Sequence, residues 1–478
     1  MEQFLNAVNG LVWSPPLIWL CLGVGLYFSV RTRFVQVRQV WEMGRLTLTG
    51  GQSEAGVSSF QALAMSLSGR IGIGNIAGVA TAIAFGGPGA VFWMWVMAFL
   101  GASTAYIEST LAQIYKEKDD KGRYRGGPAY YIEKAMGQRW YAWLFAAVTV
   151  LAAGFLLPGV QANGITLAAI TAWDVPPLGV AAVIIGLLGF IIFGGVKRIA
   201  RFAEIVVPFM AIAYILVALL IMALNASAVP EMLGLIFRSA FGLEAGFGAM
   251  LGLAVEWGVK RGIYSNEAGQ GTGPHHAAAA EVSHPAKQGL VQAFSVYVDT
   301  LLVCSATAFM ILSTGMYNVV MPDGGIVTEA LPGVAAGPAF AQAAVESALP
   351  GWGASFVALA LFFFAFTTIV AYYYMAETNI AYINRAVHRP WLVQALRLAI
   401  LVAVGFGCLR TADAAWTLGD IGVGLMAWLN LIAILILQKP ALLALRDYET
   451  QQKQGLNPQF DPIKLGIANA TLWSPPKR

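Results

Sequence analysis

Two nonapeptides carry most of the polar chemistry in this chain. Arg70-Ile71-Gly72-Ile73-Gly74-Asn75-Ile76-Ala77-Gly78 and Arg261-Gly262-Ile263-Tyr264-Ser265-Asn266-Glu267-Ala268-Gly269 align without a gap as R-x-x-x-x-N-x-A-G. Both interrupt long apolar runs. Glycines at such points unwind a helix, and the freed N–H and C=O groups survive at bilayer depth only where protein, water or a ligand satisfies them. A simple kink at a close helix crossing also uses small residues, but it does not need Arg, Asn, Ser and Glu beside them. Half-helix N-termini suit an anion and free carbonyls suit a cation. A zwitterion travelling with a small cation would satisfy both.

The elements that position these segments must be membrane helices. Of 478 residues, 58% are hydrophobic and 11% charged, against roughly 25% charged in an ordinary soluble domain. A net charge of +4 is too small to suggest nucleic-acid binding. Three cysteines, Cys21, Cys304 and Cys408, all sit in apolar runs and read as lipid-facing or packed small residues. A span needs about twenty mostly apolar residues. Eleven segments qualify, near 13–30, 57–84, 89–115, 140–168, 177–195, 200–224, 245–280, 288–313, 351–380, 390–410 and 416–438. The first is followed by Arg31 and Arg33 and not by a cleavage site, so it is expected to be a retained helix.

Basic residues give the orientation, because Lys and Arg favour cytoplasmic loops. Arg31, Arg33, Arg38 and Arg45 follow the first segment, and Lys116 through Arg139 follow the third. Lys197, Arg198 and Arg201, then Lys287, then Arg385, Arg389 and Arg397 continue the alternation into a basic tail. The opposite loops hold only Arg238 and Arg410. This predicts an outside N-terminus and a cytoplasmic C-terminus. Each nonapeptide heads a set of five helices, and an odd number inverts the second set, giving an inverted-topology repeat. The expected divisions are 1–50 (first helix and basic loop), 51–228 (first repeat), 229–440 (second repeat) and 441–478 (cytoplasmic tail). The 317–350 stretch is expected to fold back outside as a short helix, and the tail to be loosely ordered.

Other polar residues within the spans are functional suspects because burying charge in a bilayer is costly. Arg70 and Arg261 are expected counter-ions for Asp299 and Glu267, either as a fixed network or as a gate. Glu108, Glu204 and Asp420 read as lying near helix ends or packing faces. Gln161, with Asn163 beyond it, is either a substrate contact or a structural amide. The Thr367–Thr368 pair would ordinarily back-bond to its own helix. His275–His276 lack carboxylate or Cys neighbours at metal-ligand spacing, and no histidine reads as deep in a helix, which argues against an embedded enzyme.

Longer stretches now carry a resemblance. Gly72-Ile73-Gly74-Asn75-Ile76-Ala77-Gly78-Val79 and Gly86-Gly87-Pro88-Gly89-Ala90-Val91-Phe92-Trp93-Met94-Trp95 resemble the alanine or glycine:cation symporter family. Gly258 to Gly269, Gly126-Gly127-Pro128-Ala129-Tyr130-Tyr131, Gly159-Val160-Gln161-Ala162-Asn163 and Val298-Asp299-Thr300 do so as well. The resemblance implies an all-α integral membrane protein of LeuT type, a 5+5 inverted repeat with one extra N-terminal helix. It implies symport of alanine or glycine with Na+ in a bacterial plasma membrane, with no organic cofactor and no partner beyond substrate, ion and lipid; a monomer is expected. Proton coupling, or selectivity for glutamine or serine, is the alternative.

By the same resemblance the substrate would meet Gly72, Ile73, Gly74, Asn75, Gln161, Tyr264, Ser265, Asn266 and Tyr372. Sodium would take carbonyls of Ser68 and Ile71 with the hydroxyls of Thr367 and Thr368. The family usually has Phe where Tyr264 stands, and some members have a small polar residue in place of Ile73. A bulky Ile73 would shrink the pocket toward alanine or glycine.

Overall fold

The structure, a computed structural model, describes residues 2–48, 56–243 and 250–473. The expected division at 50/51, the expected start of the seventh segment at 245, and Lys477 and Arg478 lie outside the described residues. Among the described residues, eight helices are long and apolar enough to span a membrane: Gln3–Arg31, Gly89–Ile114, Arg139–Trp173, Gly195–Leu224, Pro285–Thr314, Gly353–Val387, Trp391–Cys408 and Ala412–Lys453. A ninth span arises if Ser59–Arg70 and Gly74–Gly86, bent by 52° at their junction, are counted as one. Pro177–Ile192 is a shorter apolar helix. Leu251–Asn266 and Gly273–Ala279 flank the second interruption.

Local sequence sets where the first broken helix begins and ends. Ser58 and Gln61 form a reciprocal capping box at the start of Ser59–Arg70, satisfying two N–H groups that a helix terminus leaves orphaned. At the far end Ile71 leaves the helix with ψ 90°, and the chain resumes as a π-helical turn at Gly74–Gly78. Gly72 has no substitute there. A Cβ on it would lie 2.5 Å from Thr368 Oγ1 and 2.8 Å from Gln161 Oε1. In the second break Glu267 adopts φ +57°, a left-handed conformation uncommon for a residue with a side chain.

Packing brings the two breaks together. Leu251–Asn266 lies along Gly89–Ile114 through bare glycine surface, where a Cβ on Gly258 would sit 2.6 Å from the Ala90 carbonyl oxygen. Gly353–Val387 packs on both Ser59–Arg70 and Leu157–Trp173. The extra N-terminal helix docks peripherally: Ser29 meets Ser103 at 3.2 Å, and Trp13 Nε1 donates to the Asp420 carbonyl at 2.8 Å. Apolar side chains such as Phe190, Phe209 and Leu216 point outward, as a lipid-facing surface requires.

Three sequence expectations change. The external segment contains a β-hairpin, Asn318–Val320 against Ile326–Glu329, besides its helix Pro338–Ala348; Asp323 Oδ1 accepts from Gly325 N–H and stabilises the turn. The tail is packed and not loose. The last helix runs to Lys453, Phe460 N–H donates to the Ser283 carbonyl, and Trp473 Nε1 donates to the Gln113 carbonyl. His275, His276 and His284 are fully buried: the short helix after the second break is enclosed by its neighbours, and His284 packs against Tyr448 and Phe460.

Candidate substrate and cation site

Asp299 joins the two breaks. It lies in a π-helical stretch, Tyr297–Cys304, that continues Pro285–Val296. Its carboxylate accepts from Asn75 Nδ2 at 2.7 Å in the first break, from Ser265 Oγ at 3.0 and 3.1 Å in the second, and from Thr300 Oγ1 at 2.7 Å. Hydrogen bonds to a charged group are each worth about 1.5–3 kcal/mol, so neutral donors hold this buried carboxylate without a salt bridge. Cys304 Sγ completes the cluster, 3.3 Å from Asn75 Nδ2 and 3.1 Å from Ser265 Oγ.

The unwound backbone of the first break faces protein acceptors. Gly72 N–H donates to Asn75 Oδ1 at 2.8 Å, and Ile73 N–H donates to Gln161 Oε1 at 2.9 Å. The Tyr372 hydroxyl approaches the same Gln161 amide. Asn163 is purely structural, donating to the carbonyls of Gly407 and Arg410. Ile73 packs over Gly164, where any Cβ would collide with it. Tyr264 lies against Gly74 and Trp416, the two rings 5.0 Å apart, with its hydroxyl beside Gly419. Asn266 Oδ1 caps Ala268 N–H, while its Nδ2 has no hydrogen-bond partner.

Below this, one hydroxyl gathers three carbonyls. Thr368 Oγ1 lies 2.9 Å from Ser68 O, 3.2 Å from Ile71 O and 3.0 Å from Phe364 O. A hydroxyl has one proton to give, so this group of oxygens holds more acceptors than donors. A hard monovalent cation suits such a neutral, all-oxygen setting. Thr367 differs from its neighbour, its hydroxyl bonding back to Phe364 O at 2.9 Å.

The charged residues pair otherwise than the sequence suggests. Arg261 forms a two-pronged ion pair with Asp420 at 2.9 and 3.1 Å, and Lys260 joins it at 2.7 Å. Among the described residues Arg70 makes no ion pair; its guanidinium donates to the Gln292 carbonyl at 3.0 Å and to Ser295 Oγ. Glu267 pairs with neither arginine. Among the described residues no direct Arg–Asp299 or Arg–Glu267 ion pair forms, because Asp420 reaches Arg261 from a distant helix and neutral donors already hold Asp299; Arg70 faces both carboxylates without touching them. Glu108 is likewise central and not peripheral: it accepts from the N–H groups of Gly269 and Gly271 at 3.2 Å each and from Asn430 Nδ2 at 2.7 Å. Positive φ at both glycines turns those N–H groups inward. Their place inside apolar segments could have flagged Glu108 and Asp420.

Both faces of the core are closed. On the side of the basic loops, Arg125 pairs with Glu377 at 3.3 Å and with Asp119 at 3.2 Å. Burial pushes the Asp119 carboxyl up, but hydrogen bonds from the backbone and side chain of Arg123 outweigh it and hold it below its ordinary value. On the other side the Arg261–Asp420 pair lies under Trp416, whose ring is 4.4 Å from the guanidinium carbon. Residues of both breaks are buried between these layers.

Residues 1–462 match the family model for the sodium:alanine symporter family. The chain belongs to that family. It is a multi-pass membrane symporter and not an enzyme. Among its relatives is YrbD of Bacillus subtilis (strain 168), provisionally named a sodium/proton-dependent alanine carrier protein, 62% identical over 99% of this chain and 98% of that one. The sodium/proton-dependent alanine carrier protein of Bacillus sp. (strain PS3) is 56% identical over 90% of this chain and 97% of that one. Among solved structures, a Na+-coupled sialic acid symporter aligns with 98% of each chain at TM-score 0.50 and 13% identity. That level of likeness concerns fold alone, and it agrees with the LeuT-type arrangement of this symporter.

Proposed function

We propose that this symporter moves alanine, and glycine with it, into a bacterial cell together with Na+ by alternating access. The observation that carries the reading is the oxygen cluster of Ser68, Ile71 and Thr368 at the first break, within 3.2 Å of a single hydroxyl. Sodium replaces the Thr368 proton as the partner of the two carbonyls. Thr367 supports the helix behind the site and not the ion itself.

The amino acid occupies the space between the breaks. Its carboxylate displaces the Gln161 and Asn75 side-chain oxygens from the N–H groups of Ile73 and Gly72. Those two amides then turn their donors to the substrate, with Tyr372, Ser265 and Asn266 closing around it. Ile73 and Tyr264 limit the side chain to about a methyl group. The names of the relatives in Bacillus, which specify alanine and dependence on sodium or protons, support the same substrate class.

Orientation follows the basic loops. The N-terminus lies outside and the C-terminus in the cytoplasm, with residues 51–228 and 229–440 as the two inverted halves and a monomer as the working unit. Arg261–Asp420 then closes the outer path and Arg125–Glu377 the inner one. Uptake of labelled alanine into proteoliposomes, with and without a Na+ gradient, tests the reading; uptake indifferent to Na+ would refute it.

A further inference from the structure

Four carboxylates are buried at the centre of this molecule, and three are well provided for. Asp420 has two cationic partners, Asp299 has Asn75, Ser265 and Thr300, and Glu108 has two backbone amides and Asn430. Glu267 stands apart: among the described residues no ion pair and no backbone or amide donor reaches its carboxylate, although the residue is 1% exposed. Its carboxyl rests on bare backbone, with a Cβ on Gly69 placed 3.2 Å from Oε2. The Thr272 hydroxyl lies nearby as its candidate donor. An ionised carboxylate is disfavoured in such a place, whereas a neutral carboxylic acid is far better tolerated.

The orphaned atoms do not stop at Glu267. Among the described residues, Arg70 Nε and Nη2, Ser66 Oγ, Gln292 Nε2, both polar atoms of the Gln288 amide and at least one ring nitrogen of His276 are also buried without partners. They lie on segments that run from the second break and from Arg70 toward the basic loops: Ser59–Arg70, Gly273–Ala279 and Pro285–Val296. Arg70 links them, bonded to the Gln292 carbonyl and lying beside Gly273 and Ser66. Buried polar groups gathered in this way are ordinarily satisfied by water. The column leads from Glu267 toward the basic loops.

We propose that Glu267 is a proton-binding site of this symporter, loaded from outside with the substrate and emptied through the Arg70–Gln292–Gln288 column. The proposal rests on the alanine and sodium reading above. A proton adds to one Glu267 oxygen, the neutral acid crosses the closed state, and the proton leaves to cytoplasmic water, regenerating the carboxylate. The charged and titratable groups facing Glu267 are Arg70, Glu108 and Asp299, with the Tyr264 and Tyr372 phenols. Arg261, Lys260 and Asp420, in the same half of the molecule as Tyr264, pair with one another.

The test uses the full-length protein, wild type and Glu267→Gln, in two formats. In weakly buffered detergent solution, addition of alanine and Na+ should draw a proton from the medium for the wild type and none for Glu267→Gln. In proteoliposomes with equal Na+ on both sides, an acid-outside pH step should speed wild-type alanine uptake several-fold and leave Glu267→Gln unmoved. Glu267→Asp should shift the pH midpoint of uptake, which keeps the test decisive if Gln at this position prevents folding. A wild-type proton response in Glu267→Gln, an unshifted midpoint in Glu267→Asp, or loss of the response in Asp299→Asn alone would overturn the assignment. So would a wild type that binds alanine with Na+ and takes up no proton. Absence of Na+-dependent alanine binding in the wild type would instead refute the transport reading itself.

Discussion

Asn75 Nδ2 donates to Asp299 at 2.7 Å while Asn75 Oδ1 accepts from Gly72 N–H at 2.8 Å. One side chain thus fixes the unwound backbone of the first break and ties it to the carboxylate that also holds Ser265 of the second. Movement of either break must pass through this amide. Asn75→Ala removes both bonds and leaves a buried carboxylate and a buried N–H short of partners, each worth about 1–3 kcal/mol. Thermal unfolding should fall measurably, and alanine uptake should drop at least tenfold.

The two adjacent threonines should behave differently. Thr368→Ala removes the hydroxyl that meets Ser68 and Ile71, so apparent Na+ affinity should fall several-fold or more, with alanine binding weakened alongside because coupling is reciprocal. Thr367→Ala removes only a bond to its own helix and should change Na+ dependence little. Na+ titrations of alanine binding on both variants distinguish them; equal losses would place the ion elsewhere.

Gly72→Ala should abolish uptake while leaving a folded protein. The added methyl meets Thr368 Oγ1 at 2.5 Å and Gln161 Oε1 at 2.8 Å, so both side chains must give way together. Binding assays with alanine and with Na+ should each show losses of tenfold or more.

Ile73→Ala tests selectivity. Space opened against Gly164 should let serine, and glutamine after it, compete better with alanine; methylene-scale changes alter discrimination by about 1–3 kcal/mol, or roughly 10–200-fold. If Ile73 only packs the core, the same change costs about 2–5 kcal/mol of stability with the substrate ranking untouched. Competition profile and thermal stability, measured on one preparation, separate the two.

The broken helices were legible in sequence because glycines beside Arg, Asn, Ser and Glu have no reason to interrupt an apolar run unless something polar meets them. Their tertiary partners were not. Arg70 and Arg261 occupy equal positions in the repeat, yet Arg261 finds Asp420, 159 residues away, and Arg70 finds only a carbonyl and a hydroxyl. No local pattern distinguishes them, since the difference lies in which distant helix each one faces. Glu108 and Asp420 read as lying near helix ends or packing faces because span boundaries taken from hydropathy are uncertain by a few residues, which blurs helix end against helix middle. Gly324 and Gly325 after Asp323 were an available turn signal for the external hairpin. Packing of Phe460 and Trp473 against the cytoplasmic face had no such signal, because a polar tail reads as solvated until its docking surface is known.

Breaking the outer closure gives a further expectation. Asp420→Asn leaves Arg261 and Lys260 buried without a counter-charge, a class of change that costs about 3–5 kcal/mol. Cysteine-accessibility labelling near Trp416 should rise and thermal stability should fall, whereas Asp420→Glu should retain most of both.

The most direct test of Na+-coupled alanine symport is steady-state accumulation of labelled alanine in proteoliposomes under an imposed membrane potential. Alanine is electrically neutral, so each coupled Na+ carries one net charge inward. A potential of about 100 mV, inside negative, contributes about 2.3 kcal/mol per charge, or roughly fifty-fold accumulation. The account predicts accumulation of at least that size, present with Na+ and absent with choline in its place. Alanine levels that equilibrate without regard to Na+ or potential would contradict it.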